Sequence, residues 1–175
     1  MPSDPQPMVS LSLTAPIWEQ FFTVAPLVLV GTREEDGGHD LAPKHMALPL
    51  GWQNHFGFVC HPSHATQQNA ERTGAFTVSF PRPDSVVEVA LAAESRAGGA
   101  KPSLTAIAVS PAGVVDGVLV DDAHLWLECE LDRVIDGFGE NTLIAASPLL
   151  AYLAPGRFAA IEQTRSFPFP VHFRR

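Results

Sequence analysis

The sequence predicts a mainly β protein: an antiparallel barrel of Greek-key type, closed or split, with short helical inserts. Roughly eight apolar runs of strand character follow one another with turn signals between them. Only two or three stretches have helical composition. The strands are too consecutive for the strand and helix alternation of a doubly wound parallel sheet.

The elements follow in order. "MPSDPQPM" has three prolines in eight residues and no apolar pattern, so residues 1–8 read as a loose arm and 9–175 as a single domain. "APIWEQFF" suits a short helix, and "PLVLVGT", residues 26–32, is a compact strand ended by the turn signal "REEDGGHD". The return limb lies in "LAPKHMALPL", where Pro43 and Pro49 lack amide donors and favour an edge, bulge or loop. "HFGFVC" is the next strand. "HATQQNAERT" is helical, with Ser63 expected as its cap and Gly74 stopping it in the left-handed conformation. "AFTVSF" alternates with period two, as a half-buried strand does. "DSVVEVALAAES" places Val86, Val87, Ala90 and Leu91 on one helical face, and "RAGGAKPS" is a flexible loop. The remaining strands are "LTAIAVS", "VVDGVLV", "AHLWLECELDRVID", "NTLIAAS" and "RFAAIEQ".

Composition excludes several function classes. At 175 residues, 46% hydrophobic and 17% charged, the chain is globular. A net charge of −8 argues against a general nucleic-acid or anionic-membrane surface, which relies on clustered Lys and Arg, so any anion must be caught locally. Cys60 and Cys129 are too few for a disulfide framework, and no apolar segment suggests secretion or a membrane span. The thiols are therefore expected reduced, in a cytoplasmic protein.

Five of the seven histidines lie between residues 39 and 64. Cys60, His61 and His64 are close enough in sequence to suggest a metal, yet a structural zinc site pairs two spaced ligand couples and the later half holds no second one. Surface or hydrogen-bonded histidines are the alternative. "PSHAT", directly after a strand, offers something else: a helix start with unpaired amides and partial positive charge suits a phosphate. Ser63 and Thr66 add hydroxyls, with Asn69 and Thr73 on the same helical face as Thr66. Lys44, His45, His64 and Arg72 supply charge if the fold brings "APKHM" beside this loop. The pattern alone fits an ordinary capped helix equally.

One arrangement goes further. The order "PLVLVGT…DGGHDLAPKHMAL…HFGFVCHPSHATQQNAERTGAFTVSF" resembles the flavin reductase-like family of FMN-binding split barrels, which includes flavoredoxin. Thr32, Asp36 with Gly37, Ala42 with Pro43, and then Thr66, Asn69, Thr73, Gly74, Phe76 and Val78 carry the likeness. A looser match through "HLWLECELDRVID" and "GENTLIAAS" extends it over residues 26–162 and makes Cys129 a core residue. Asp40 stands where the family often has Asn, His45 where it often has Ser, and Asn141 where nicotinamide-using members often have His.

The resemblance implies a six-stranded split-barrel homodimer with FMN in a groove at the subunit interface. The isoalloxazine would lie against the backbone of Lys44, His45, Met46, Ala47 and Leu48, and the phosphate at Ser63, His64, Ala65 and Thr66 with Asn69 nearby. No side-chain acid or nucleophile is implied, because the flavin carries the chemistry. The activity implied is an FMN-dependent oxidoreductase using NADH or NADPH. The alternative is a flavoredoxin-like carrier that passes electrons to a partner protein without a nicotinamide site. "HLWLEC" and the aromatic tail "SFPFPVHF" are expected to offer surface to a partner.

Overall fold

The computed structural model describes residues 26–94, 96 and 101–154, with Ser10 and residues 12–14. The arm at 1–8, the helix expected over 15–22, the glycines of the 96–103 loop, the strand expected over 157–163 and the tail lie outside the described residues.

Nine strands and two α-helices are present among them: β1 (Val28–Arg33), β2 (His39–Lys44), β3 (Ala47–Pro49), β4 (Phe56–Cys60), α1 (Ala65–Thr73), β5 (Ala75–Pro81), α2 (Val86–Leu91), β6 (Val109–Pro111), β7 (Val118–Val120), β8 (Ala123–Phe138) and β9 (Asn141–Leu153). Seven strands form one sheet in the order β2-β1-β5-β8-β9-β4-β3, and β6 pairs with β7 apart from it. Every pairing is antiparallel. β2 and β3 are the two edges of that sheet, yet only His45 and Met46 separate them in the chain. Three residue steps span at most about 11 Å, so the edges must meet and the sheet curls into a split barrel. Pro43 and Pro49 both fall on these edge strands, where a missing amide breaks no ladder.

Alternation along β1 explains why it reads as a continuous apolar run. Val28 and Val30 point into the barrel with Phe56, Phe58, Phe76, Val78, Cys129 and Ile144. Leu29 points out, against Leu41, Val89, Ala92, Ile107, Val118 and Val120. Both faces are therefore covered. Phe58 and Phe76 meet edge to face inside, with centroids 5.3 Å apart. Gly74, at φ 70°, ends α1 as expected and donates its amide to the Ala70 carbonyl.

Four expectations change. Among the described side chains of α2 and its cap, Val89 and Ala92 are buried, whereas Val87 and Ala90, expected on the packed face, are exposed. "LTAIAVS" becomes a 3₁₀ turn, Pro102–Ala106, and then β6. "VVDGVLV" is strand only from Val118, because the amides of Gly113, Val114 and Val115 go to the Glu128 carboxylate instead of a ladder. The main sheet also has seven strands rather than six.

Candidate functional site

A cleft of about 420 Å³ opens between edge strand β2, the start of α1 and the segment that follows α2. Its local origin is the way α1 begins. Ser63 does not cap the helix: its amide donates to His61 Nδ1 at 3.1 Å and its hydroxyl pairs with the same nitrogen at 2.8 Å. His64 is the cap residue instead, with extended backbone (φ −77°, ψ 137°) and no side-chain bond to the helix. Its carbonyl takes the amides of Gln67 and Gln68. The first helical amides, those of Ala65 and Thr66, precede any possible intrahelical acceptor, and the first turn holds no acidic residue. An unblocked positive helix end thus faces the cleft.

Of the residues singled out in the sequence, Lys44, Ser63, His64, Ala65 and Thr66 come together on its walls. Lys44 has no ion-pair partner among the described residues. His64 is held below its usual pKa, first by partial burial and then by Lys44, His61 and Lys101. Its Nδ1 lies 3.9 Å from Cys60 Sγ, and among the described residues no three His, Cys, Asp or Glu side chains gather to hold a metal.

The others are placed differently. His45 and Met46 are exposed at the corner joining β2 to β3, Leu48 is exposed on β3, and the Ala47 side chain enters the core. What this corner presents is backbone: β2 and β3 are edges, so their outward amides and carbonyls have no strand partner. Asn69 is buried beneath the helix, donating to Thr32 Oγ1 at 3.3 Å and accepting from Arg72 at 3.1 Å. Thr73 Oγ1 donates to the Asn69 carbonyl at 2.8 Å. Of this group Asn69 ties α1 to β1, Thr73 closes the last turn and Thr66 alone lines the cleft. Arg72 reaches the Arg33 carbonyl and lies outside the cleft lining.

Sequence reasoning noted Asp40 only as a departure from the family pattern and missed Arg96 and Lys101. Asp40 is buried at the cleft, 2.9 Å from Lys101 Nζ and 3.2 Å from Arg96, which also pairs with Glu34. Lys101 further donates to the carbonyls of Leu41 (3.0 Å) and Ala92 (3.2 Å), so it straps the segment after α2 onto the outer edge of β2. The available signal was a pair of cations flanking the glycines of "RAGGAKPS" in an acidic chain.

Two nucleophile candidates among the described residues lack the arrangement that activation needs. Burial, then Asp132 and Glu128, push the Cys129 thiol up to about 12. Ser147, His55 and Asp132 do meet on the surface, but His55 Nδ1 faces both Asp132 (3.3 Å) and Ser147 Oγ (3.4 Å). A catalytic triad needs the serine and the carboxylate on opposite ring nitrogens. The chemistry available here is capture of a compact anion beside an open backbone edge.

The fold is that of the split-barrel flavin reductases, and the sequence matches the same family. Residues 22–166 match the flavin reductase like domain, and the chain belongs to that family of flavin-binding proteins. Among solved structures it is similar to the 2-nitrobenzoate 2-nitroreductase of Pseudomonas fluorescens, at 16% identity and TM-score 0.72, over 85% of this chain and 77% of that one. It is similar also to the flavoredoxin of Desulfovibrio vulgaris (20%, TM-score 0.71, 84% and 78%). A third is the NADH:FAD oxidoreductase of Streptomyces globisporus (14%, TM-score 0.67, 75% and 77%). No curated protein sequence matches. Among the described residues no helix is long and apolar enough to cross a membrane.

Proposed function

We propose that the protein is an FMN-dependent oxidoreductase that draws reducing equivalents from NADH or NADPH. The observation that carries this is the junction of an uncapped helix start with the unpaired backbone edge at Lys44 to Leu48, since a flavin mononucleotide needs an anion site and a flat polar edge side by side. The phosphate would meet the amides of Ala65 and Thr66, the hydroxyls of Ser63 and Thr66, and Lys44. One helix start and one unpaired lysine suit a single phosphate, which favours FMN over FAD. When bound, the flavin supplies the electron-transfer chemistry. The chain's own part is to bind it, orient it along the β2 to β3 corner and shield it.

A second copy of the chain would complete the shield. Met46 (47% exposed), Leu48 (48%) and Trp52 (95%) are apolar and open near that corner, which supports a homodimer. We place the whole of residues 9–175 in one domain and the protein in the cytoplasm, with both cysteines free.

Flavin absorption bands in the purified protein, and their bleaching on anaerobic mixing with NADH or NADPH, test the proposal. A protein that stays colourless after FMN is added refutes it. A flavin that bleaches only with a partner reductase supports the second function, a flavoredoxin-like carrier. Asn141, which opens β9 where nicotinamide-using members often carry His, favours that alternative.

A further inference from the structure

Resting on the assignment of the cleft to a flavin phosphate, we propose that His64 determines specificity for the phosphorylated flavin, taking up a proton as the phosphate dianion enters. The argument is geometric. As the cap residue of α1, His64 stands where the free amides of Ala65 and Thr66 begin, and its ring lines the cleft. Nδ1 looks toward Cys60 Sγ, whereas Nε2 has no partner among the described residues.

The groups facing this ring come from every element around it. Lys44 approaches from β2, and His61 from the loop after β4 with ring centroids 5.5 Å apart. Lys101 comes from ahead of the 3₁₀ turn, and Arg96 and Glu94 from the segment after α2. Asp40, on β2, is already engaged by Lys101 and Arg96. Cations dominate, so in the flavin-free cleft the imidazole is neutral near pH 7, in line with its lowered pKa. A phosphate dianion reverses the local field. The proton then passes from solvent to the free nitrogen, and the imidazolium gives the phosphate a charge-assisted hydrogen bond. The bound-state pKa lies above the free one, so affinity is gained below it and lost as pH rises through it. Riboflavin has no phosphate and calls up no proton.

The test titrates the flavin-free chain with FMN and with riboflavin at pH 6.5 and 8.5, following flavin fluorescence. Calorimetry at pH 7 in two buffers of different ionisation enthalpy counts protons. The phosphate's own second pKa, about 6, is common to all variants and drops out of the comparison with His64→Gln. FMN should bind wild type about two- to fivefold more tightly at pH 6.5 than at 8.5, because a one-unit rise in pKa on binding sets a ceiling of about tenfold that is reached only below the free-state pKa. Proton uptake should exceed that of His64→Gln, in which the pH dependence flattens while riboflavin affinity is unchanged. His64→Lys, with a fixed charge, should bind FMN well at both pH values. If His64→Gln takes up as many protons as wild type while both still prefer FMN, the proposal falls and the phosphate assignment stands. If wild type binds FMN and riboflavin equally, the phosphate assignment itself falls.

Discussion

Glu128→Gln should remove about 3–5 kcal/mol of stability, although it exchanges a single heavy atom and touches no part of the cleft. The carboxylate is fully buried. One oxygen accepts the Gly113 amide at 2.8 Å and the Tyr152 hydroxyl at 2.8 Å; the other accepts the amides of Val114 at 2.6 Å and Val115 at 3.0 Å. Glutamine keeps the shape but sets an NH₂ against one pair of donors, so two bonds to a charge are lost and donors confront donors. Hydrogen bonds to a charged group contribute roughly 1.5–3 kcal/mol each, and a typical domain has only about 5–15 kcal/mol in all. Urea unfolding should show a lower midpoint with an unchanged slope. The acid limb gives a second readout. Burial pushes the Glu128 pKa up, but the bonds from Gly113, Val114, Tyr152 and Val115 outweigh it and hold the group below its ordinary 4.5. Its contribution is thus present above the unfolded-state pKa and lost as pH falls through the lower folded value, a loss Glu128→Gln should not show. A stability change under about 1 kcal/mol would refute the reasoning, because four bonds to one buried charge cannot be so cheaply exchanged.

Three other outcomes are expected. Lys44→Glu places a carboxylate on the cleft wall, and like charges ~4 Å apart repel by about 4 kcal/mol at an effective dielectric near 20, so FMN affinity in a fluorescence titration should fall at least tenfold while riboflavin affinity holds. Equal losses for the two ligands would mean that Lys44 does not face the phosphate. Cys129, with its thiol pushed up to about 12, should resist iodoacetamide at pH 8 in the folded protein and react in urea; rapid labelling without urea would show that β8 opens. The association rate of FMN should rise between 10 and 150 mM salt, because the Debye length contracts from about 30 to 8 Å and screens the long-range repulsion of a −8 chain before it screens contacts in the cleft. A steep fall with salt in stopped-flow mixing would show local attraction governing the encounter as well.

What was legible in the sequence is what depends on neighbours along the chain. Pro43 and Pro49 argued for an edge, a bulge or a loop over a central strand because a missing amide is a local fact, and Gly74 announced the end of α1 because positive φ is one as well. The five cleft residues at 44 and 63–66 were singled out by a helix start directly after a strand and by the family resemblance, not by helical spacing. The features that stayed hidden depend on partners far away in sequence. Asp40 meets Lys101, 61 positions on, and neither residue type predicts the other. Gly113 to Val115 look like a strand until Glu128 takes their amides. Ser63 is the commoner cap by composition, but His61 captures it first, which moves the cap to His64. The α2 face turned on where the β1 and β7 side chains leave space, a property of the assembled second core.

The misread cap has a consequence for how an acidic protein holds an anion. Had Ser63 satisfied the helix start, its hydroxyl would occupy one of the amides that the cleft leaves open. Because His61 holds Ser63, the first amides stay available and the positive end of α1 is not spent internally. Two other cations of the cleft wall follow the opposite logic. Lys101 and Arg96 are engaged by Asp40, Glu34 and backbone carbonyls, so their work is to hold the segment after α2 against β2. A buried Asp40 makes that attachment specific, since losing it would leave Lys101 enclosed with carbonyls alone. The wall is therefore fixed by paired charges, and in the proposed function the anion would be met by Lys44, two helix-start amides and the His64 imidazole. Such a division lets a chain with a net charge of −8 keep a strong positive field only where a wall has been built to confine it.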